Sequence, residues 1–145
     1  MKHFILVLTI CLLPATAHSF CFVQAGQRYG IDAQLLQAVA QTESSLRPNI
    51  ESRTQDIGLM GINRSWLPIL RKRFGLTEAD VWNPCTNVMV GAWILANEFA
   101  TKGRNWNAVG AYNAACIKLK GMECAKARQK YTTKVWQTWQ QLKSM

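Results

Sequence analysis

The spacing of hydrophobic and polar positions predicts helices along most of the chain. Apolar residues recur three and four positions apart over 22–29 and again over 33–44, where Asp32 provides an N-cap. Five further helices, the first of them capped by Ser65, are predicted over 66–74, 77–80, 84–102, 106–115 and 125–142. Residues 49–57 are polar and aperiodic, which predicts an exposed loop, and 58–62 is apolar with two glycines. No segment reads convincingly as a strand, so we expect an all-α fold in one globular domain.

The last predicted helix has a clear inward face. Its large apolar residues repeat at helical spacing, while lysine and glutamine occupy the opposite side. The residues expected to face the core are Tyr131, Val135, Trp139 and Leu142.

One carboxylate lies on the apolar face of the second helix. Apolar residues precede Glu43 by three, four, seven and eight positions, at Ala40, Val39, Leu36 and Leu35. At 3.6 residues per turn they share its face, so Glu43 is expected to point towards the core. A carboxyl group desolvated in this way has a raised pKa and can serve as a general acid. The alternative is that the helix ends before Glu43, which then lies in solvent.

The first nineteen residues have the pattern of a secretory signal peptide. A short basic start precedes ten apolar residues, which are too few to span a bilayer, and Pro14 interrupts them. The small residues that follow allow cleavage after Ala17 or after Ser19; an uncleaved membrane anchor is the alternative. We therefore expect a signal peptide over 1–19, a mature domain over 20–145, no stable membrane anchor and a periplasmic location.

Export changes the interpretation of the cysteines. Cys11 leaves with the signal peptide, and the four that remain form an even set in an oxidising compartment, which predicts two disulfides. Three pairings are open, and we favour Cys116–Cys124 with Cys21–Cys85. Metal binding is disfavoured because the chain has no Cys-x-x-Cys and its two histidines lie in the predicted signal peptide. We expect neither metal nor cofactor.

The formal net charge of +9 favours an anionic partner such as a polyanionic cell wall. Export argues against nucleic acid. A generic basic surface would give the same charge, so composition by itself does not decide between these interpretations.

A second candidate carboxylate, Asp56, precedes the glycine-rich segment. One shielded carboxyl group and one carboxylate in a wetter loop is the arrangement that separates the acid from the charge stabiliser in glycosidases. The alternatives are that Asp56 is a solvated loop residue, or that Glu51 takes its place.

Three short motifs in order resemble those of soluble lytic transglycosylases, which share the goose-lysozyme-like α fold. The motifs are Glu43-Ser44-Ser45, then Gly58-Leu59-Met60-Gly61-Ile62-Asn63, then Ala111-Tyr112-Asn113-Ala114. The stretches 56–60, 83–87 and 90–95 look closer still to the subgroup encoded with conjugation, type III secretion and type IV pilus machines. The resemblance covers nearly all of the mature chain.

The resemblance implies that Glu43 is the catalytic acid for the β-1,4 bond between N-acetylmuramic acid and N-acetylglucosamine, leaving a 1,6-anhydro end. It implies that Asp56 stabilises the charged transition state and that the Tyr112 hydroxyl orients Glu43. The residues implied to bind the glycan are Ser44, Gly58, Leu59, Met60, Tyr112 and Asn113. Gly61 departs from the family, which usually has glutamine there, so one contact to the sugar would be lost. Trp66, Trp93 and Trp106 would be sugar-stacking platforms or, more simply, core residues.

The resemblance also implies a monomer that acts on peptidoglycan for an envelope-spanning machine. Two alternatives stay open: a hydrolytic lysozyme of the same fold, and a poorly active peptidoglycan-binding or assembly protein.

Overall fold

The computed structural model describes residues 20–145. The predicted signal peptide and its two candidate cleavage positions lie outside this part of the chain. The helices are α1 (Phe22–Tyr29), α2 (Ala33–Ser44), α3 (Leu67–Phe74), α4 (Glu78–Trp82), α5 (Pro84–Lys102), α6 (Trp106–Asn113) and α7 (Gly121–Lys143). Two short strands, β1 (Asp56–Ile57) and β2 (Ile62–Asn63), pair antiparallel, and a 3₁₀ turn over Arg64–Trp66 leads into α3. No helix within 20–145 has the length and apolar character needed to cross a membrane.

Local capping chemistry explains most of the helix starts. The Asp32 carboxylate accepts a hydrogen bond from the backbone N–H of Gln34 (2.8 Å), and Asn105 caps α6 in the same way. Asn83 caps α5, whose first residue is Pro84, and Thr77 forms a reciprocal capping box with Asp80. The starts of α2, α5 and α6 agree with those predicted from the sequence, and α4 begins one residue later than predicted.

Several features differ from the sequence-based expectation. Ser65 does not cap the third helix: the Asn63 side chain accepts from the Ser65 N–H (3.0 Å) and caps a 3₁₀ turn, and α3 follows Trp66 without a side-chain cap. Residues 51–55 of the segment expected to be an exposed loop are exposed, but its last two residues form β1 of the β1–β2 ribbon, and Ile57 is fully buried. The sixth helix ends two residues early, at Asn113, and α7 begins four residues early, at Gly121.

Helix α5 runs through the centre of the core and packs against α1, α4 and α6. Its middle third is buried on all sides, which explains why small residues such as Gly91 and Ala92 occur there. The other main contacts join α2 and α6 to α7.

Helix α7 holds both ends of α2. The indole N–H of Trp139 donates to the Asp32 carboxylate (3.0 Å) at the start of α2. The Tyr131 hydroxyl donates to Glu43 (2.7 Å) at its end. Tyr131 and Val135 are buried, and Trp139 and Leu142 pack against the core, as the helical pattern predicted.

The two favoured disulfide pairings are confirmed. Cys21–Cys85 joins the residue before α1 to the first turn of α5, and Cys116–Cys124 joins the α6–α7 loop to the first turn of α7. Loop-closure entropy gives about 4 and about 2.5 kcal/mol of stabilisation respectively.

A buried amide fixes the ribbon to α5. The Asn87 side chain is fully buried; its oxygen accepts from the Met60 N–H (2.7 Å), and its nitrogen donates to the carbonyls of Ile57 (3.0 Å) and Val81 (2.9 Å). Gly58 has φ +70°, and a Cβ there would lie 2.6 Å from the Asn87 nitrogen. The close packing of the ribbon on α5 therefore requires glycine at 58 and an amide at 87.

Asn87→Ala should destabilise the fold by about 3 kcal/mol, because it leaves one buried N–H and two carbonyls without their partner. The measurement is the free energy of unfolding from urea titration followed by circular dichroism. Asn97→Ala, an exposed asparagine on the same helix, is the matched control and should change stability by less than about 0.5 kcal/mol. Equal effects of the two substitutions would contradict the role given to Asn87.

Candidate active site

Glu43 lies in the last turn of α2, where the helix meets the ribbon and α7. Burial is the largest influence on the carboxyl group and raises its pKa from 4.5 to about 7. Hydrogen bonds from Tyr131 and from the Asn113 side chain oppose this increase, and the nearby charge of Asp56 adds to it. Near neutral pH the group is therefore divided between its acid and base forms, as the pattern of α2 predicted.

Gly61 approaches the same carboxyl group from the ribbon. It has φ +59°, and a Cβ at this position would lie 2.8 Å from Glu43 Oε2. Both the backbone conformation and the missing side chain thus allow the ribbon to cover Glu43 this closely. The position that lacks the glutamine usual in similar enzymes instead contributes to the desolvation of the acid.

Asp56, at the start of β1, has the opposite environment. Partial burial by itself would raise its pKa, but hydrogen bonds from Ser52, Thr54 and Asn63 outweigh this and lower the pKa below 3.8. The Asn63 amide donates to one carboxylate oxygen (2.8 Å), and the hydroxyls of Ser52 and Thr54 donate to the other. Asp56 is therefore ionised at neutral pH, and the expected contrast with Glu43 is confirmed.

The competing carboxylate, Glu51, is exposed and forms an ion pair with Arg64 (2.9 Å). It does not line the cavity that contains Glu43 and Asp56. Glu51 is thus outside the candidate site.

Glu43 and Asp56 line one cavity of about 370 Å³, here called the cleft. Polar groups and apolar side chains share its surface, which suits a sugar with both hydroxyl-bearing edges and apolar faces. Its lining also includes Gly61, Asn63, Trp66, Glu98, Tyr112 and Asn113.

Four of the residues expected to bind the glycan lie beneath the cleft rather than in it. Leu59 and Met60 are fully buried, Gly58 is buried under Asn87, and Ser44 is 1% exposed. The Ser44 hydroxyl lies within hydrogen-bond distance of the carbonyls of Ala40 (3.0 Å) and Leu59 (2.9 Å), so it joins α2 to the ribbon. The expectation of direct sugar contact is wrong for the side chains of Ser44, Leu59 and Met60, because close packing of the ribbon against α2 and α5 covers them, and Gly58 has no side chain to offer.

The orienting hydroxyl also comes from a different tyrosine. Tyr112 lines the cleft, but its hydroxyl donates to the Met60 carbonyl (2.7 Å) rather than to Glu43. Tyr131 takes the expected role, 88 positions from Glu43 in the sequence. The sequence did place Tyr131 on the inward face of the last helix, and a buried phenol needs a polar hydrogen-bond partner. The helical pattern does not show that this partner is Glu43.

Of the three candidate stacking residues, only Trp66 lines the cleft. Trp93 is 8% exposed and packs edge-to-face against Trp66 (5.7 Å between ring centroids). Trp106 packs against Trp139 (5.5 Å) in the interface of α6 and α7. Trp93 and Trp106 are therefore packing residues.

Within the described part of the chain, no three histidine, cysteine, aspartate or glutamate side chains are grouped as metal ligands would be. The arrangement provides a carboxyl group able to give and take a proton near pH 7 and a fixed negative charge in the same cleft. These are the requirements of acid–base cleavage of a glycosidic bond.

Tyr131→Phe should raise the pKa of Glu43 above about 7, because the hydrogen bond that it removes favours the ionised form. A bond of about 1 kcal/mol corresponds to a five- to tenfold lower acid dissociation constant. Carbon-13 NMR titration of the Glu43 carboxyl group measures this. Tyr112→Phe, which alters a hydroxyl bonded to Met60, is the control and should shift the titration much less.

Glu43→Gln should stabilise the fold at alkaline pH. Because the folded-state pKa lies above 4.5, the unfolded chain loses the proton first, and the stability due to the protonated group is lost as pH rises from about 4.5 to about 7. That shift corresponds to about 3 kcal/mol, which glutamine retains because it cannot ionise. The measurement is the free energy of unfolding from urea titration at pH 4 and pH 8. The wild type and Glu43→Gln should have similar values at pH 4, and Glu43→Gln should have the higher value at pH 8. An identical pH dependence in both would assign the effect to another group.

Comparison with known proteins agrees with this geometry. Residues 20–135 match the family described as "Transglycosylase SLT domain". The chain is 35% identical to "Invasion protein IagB" of Salmonella typhimurium, over 99% of this chain and 90% of that protein. It is 33% identical to "Protein IpgF" of Shigella flexneri, over 94% and 89% of the two chains.

A solved structure, an inactive mutant of the lytic transglycosylase Slt from Pseudomonas aeruginosa, has the same fold with a TM-score of 0.69 and 20% identity. The match covers 86% of this chain and 24% of that longer protein. With a family match over most of the described residues, this chain belongs to the transglycosylase SLT domain family and is an enzyme of the lytic transglycosylase class with a lysozyme-like fold.

Proposed function

We propose that the protein cleaves the β-1,4 bond between N-acetylmuramic acid and N-acetylglucosamine and leaves 1,6-anhydromuramic ends. The observation that carries this proposal is a carboxyl group in the cleft whose pKa lies at about 7. A single group with that pKa has both protonation states accessible, and the reaction uses both in one turnover.

In the first half of the reaction, protonated Glu43 donates its proton to the glycosidic oxygen. The bond from that oxygen to C1 of the muramoyl sugar breaks, and positive charge develops at C1 and the ring oxygen. Ionised Asp56 stabilises this charge through the low-dielectric cleft. Tyr131 and Asn113 stabilise the carboxylate left on Glu43.

In the second half, the Glu43 carboxylate takes the proton from the O6 hydroxyl of the same muramoyl sugar. O6 then attacks C1 and closes the anhydro ring. Glu43 returns to its protonated form, no water is consumed, and the products carry the atoms of the substrate.

Ionised Asp56 also favours a second candidate, hydrolysis by a lysozyme-type mechanism. In that case Asp56 contributes more to the reaction, and water rather than O6 attacks C1. The two reactions differ by one water in the mass of the muramoyl product.

The test is mass spectrometry of products from purified sacculi incubated with the mature chain. Anhydro ends are expected. Reducing ends would contradict the proposal and show that the enzyme hydrolyses the bond. Glu43→Gln should reduce product formation by at least a hundredfold. Asp56→Asn should reduce it by about ten- to a hundredfold.

The matched control is Glu51→Gln, which neutralises an exposed carboxylate outside the cleft and should leave the rate near that of the wild type. Intact sacculi under the wild-type protein would contradict both reactions and favour a binding or assembly role.

The surroundings of the enzyme are part of the same proposal. The predicted signal peptide and the two disulfides support a periplasmic location, since disulfides persist in oxidising compartments. The similarity to a protein named for invasion supports local opening of the wall for an envelope-spanning machine. That the enzyme acts as a monomer stays a prediction from the sequence.

A further inference from the structure

A second cavity of about 360 Å³ adjoins the catalytic carboxyl group. Glu43 and Asn113 line both this cavity and the cleft, and the rest of its wall comes mainly from α7. The two cavities thus meet at Glu43 and Asn113, and the second one is here called the α7 pocket.

The two cavities differ in charge. The cleft is lined by Glu43, Asp56 and Glu98, and none of the lysines or arginines within 20–145 lines it. The α7 pocket is lined by Lys130 and Lys134, and Glu43 is its sole acidic residue from the described chain. A molecule that spans both cavities therefore meets acidic side chains in the cleft and basic side chains in the α7 pocket.

Neither lysine has another evident task. Lys130 and Lys134 are exposed, lie one turn apart on α7, and form no ion pair with any acidic residue that the structure describes. Their ammonium groups are thus free to meet an anion in the pocket.

The proposed substrate carries anions at defined places. Its sugars are neutral, and its carboxylates lie in the peptide attached to the lactyl group of muramic acid. An ammonium pair beside the catalytic centre, in a cavity larger than a single sugar substituent needs, matches that peptide in charge and position.

We propose that the α7 pocket is the subsite for the carboxylate-bearing peptide of the substrate, and that Lys130 and Lys134 bind the carboxylates of that peptide. This inference rests on the proposed function, because it takes peptidoglycan as the substrate. It makes the enzyme selective for glycan strands that keep their peptides over strands from which an amidase has removed them.

The experiment compares kcat/KM for peptide-bearing strands with kcat/KM for the same strands after amidase treatment. Hydrolysis of the amide removes the peptide and leaves one carboxylate on the lactyl group, so the ratio tests whether the lysines bind the carboxylates of the peptide rather than a lactyl carboxylate. The double variant Lys130→Gln/Lys134→Gln should lower the ratio of these two values about tenfold, mainly through a higher KM for the peptide-bearing strands. The wild-type preference should also decline as salt is raised from 20 to about 300 mM, since the exposed ammonium groups are screened.

Two matched variants complete the design. Arg71→Gln/Lys72→Gln removes the same charge from an exposed part of α3 outside both cavities and should leave the ratio at the wild-type value. Lys130→Arg/Lys134→Arg keeps the charge and should retain most of the preference. An unchanged ratio in the Lys130→Gln/Lys134→Gln variant, or an equal fall in the α3 variant, would overturn the inference.

Failure of the proposed function gives a different result, because the wild-type protein would then release no anhydro ends from either substrate. In that case the subsite is tested by isothermal titration calorimetry with a peptide-bearing muropeptide. Weaker binding to the Lys130→Gln/Lys134→Gln variant than to the α3 variant supports the subsite, and equal binding refutes it.

Discussion

The removal of one carboxyl group from water is the constraint on which the site depends. Glu43 would be ionised in solvent, and the structure moves its pKa to about 7 mainly by burial. Three elements enclose it: the last turn of α2 carries it, the ribbon approaches it at Gly61, and α7 supplies the Tyr131 hydroxyl. The balance between desolvation and that hydrogen bond leaves both protonation states populated near neutrality, which an acid that must also act as a base requires.

The ribbon can enclose Glu43 only because α5 holds it in place. A ribbon of two residues per strand has too few hydrogen bonds of its own to be stable. Asn87 supplies the missing ones from the core, and glycines at 58 and 91 allow the backbone and Met60 to lie directly against α5. The motif around Gly58 therefore acts here as a support for Glu43, while Asp56 and Tyr112 line the cleft itself.

Charge is distributed unevenly for a protein with a formal net charge of +9. The exterior is basic, which favours association with an anionic wall, while the cleft is acidic. An acidic cleft suits a reaction in which positive charge develops on a sugar ring, because cations there would oppose it. Lys130 and Lys134 line the α7 pocket and not the cleft, so they leave the acidic lining of the cleft unchanged.

Local patterns in the sequence determined the helices, most of their caps and the face on which Glu43 lies. These features depend on residues within one or two helical turns of each other, so the sequence of a single helix is enough to predict them. The contrast between Glu43 and Asp56 was also predicted, since it depends on the residues around each carboxyl group. The disulfide pairing was favoured among three possibilities, and the contact between Cys21 and Cys85 across 64 positions is decided by the fold. The boundaries that failed lie where tertiary contacts compete with local preference, as at Asn63, which serves the ribbon and the 3₁₀ turn together.

Tertiary structure decided which residues surround the acid. Tyr131 reaches Glu43 across 88 positions, and Asn87 reaches Met60 across 27, through contacts that no local period encodes. The same packing buried Ser44, Leu59 and Met60 although their motif suggested a cleft, because a motif records which residues are needed and not which way they face. The sequence by itself thus determined that a shielded carboxyl group exists, and only the packing of α2, α7 and the ribbon on α5 decided how far its pKa moves.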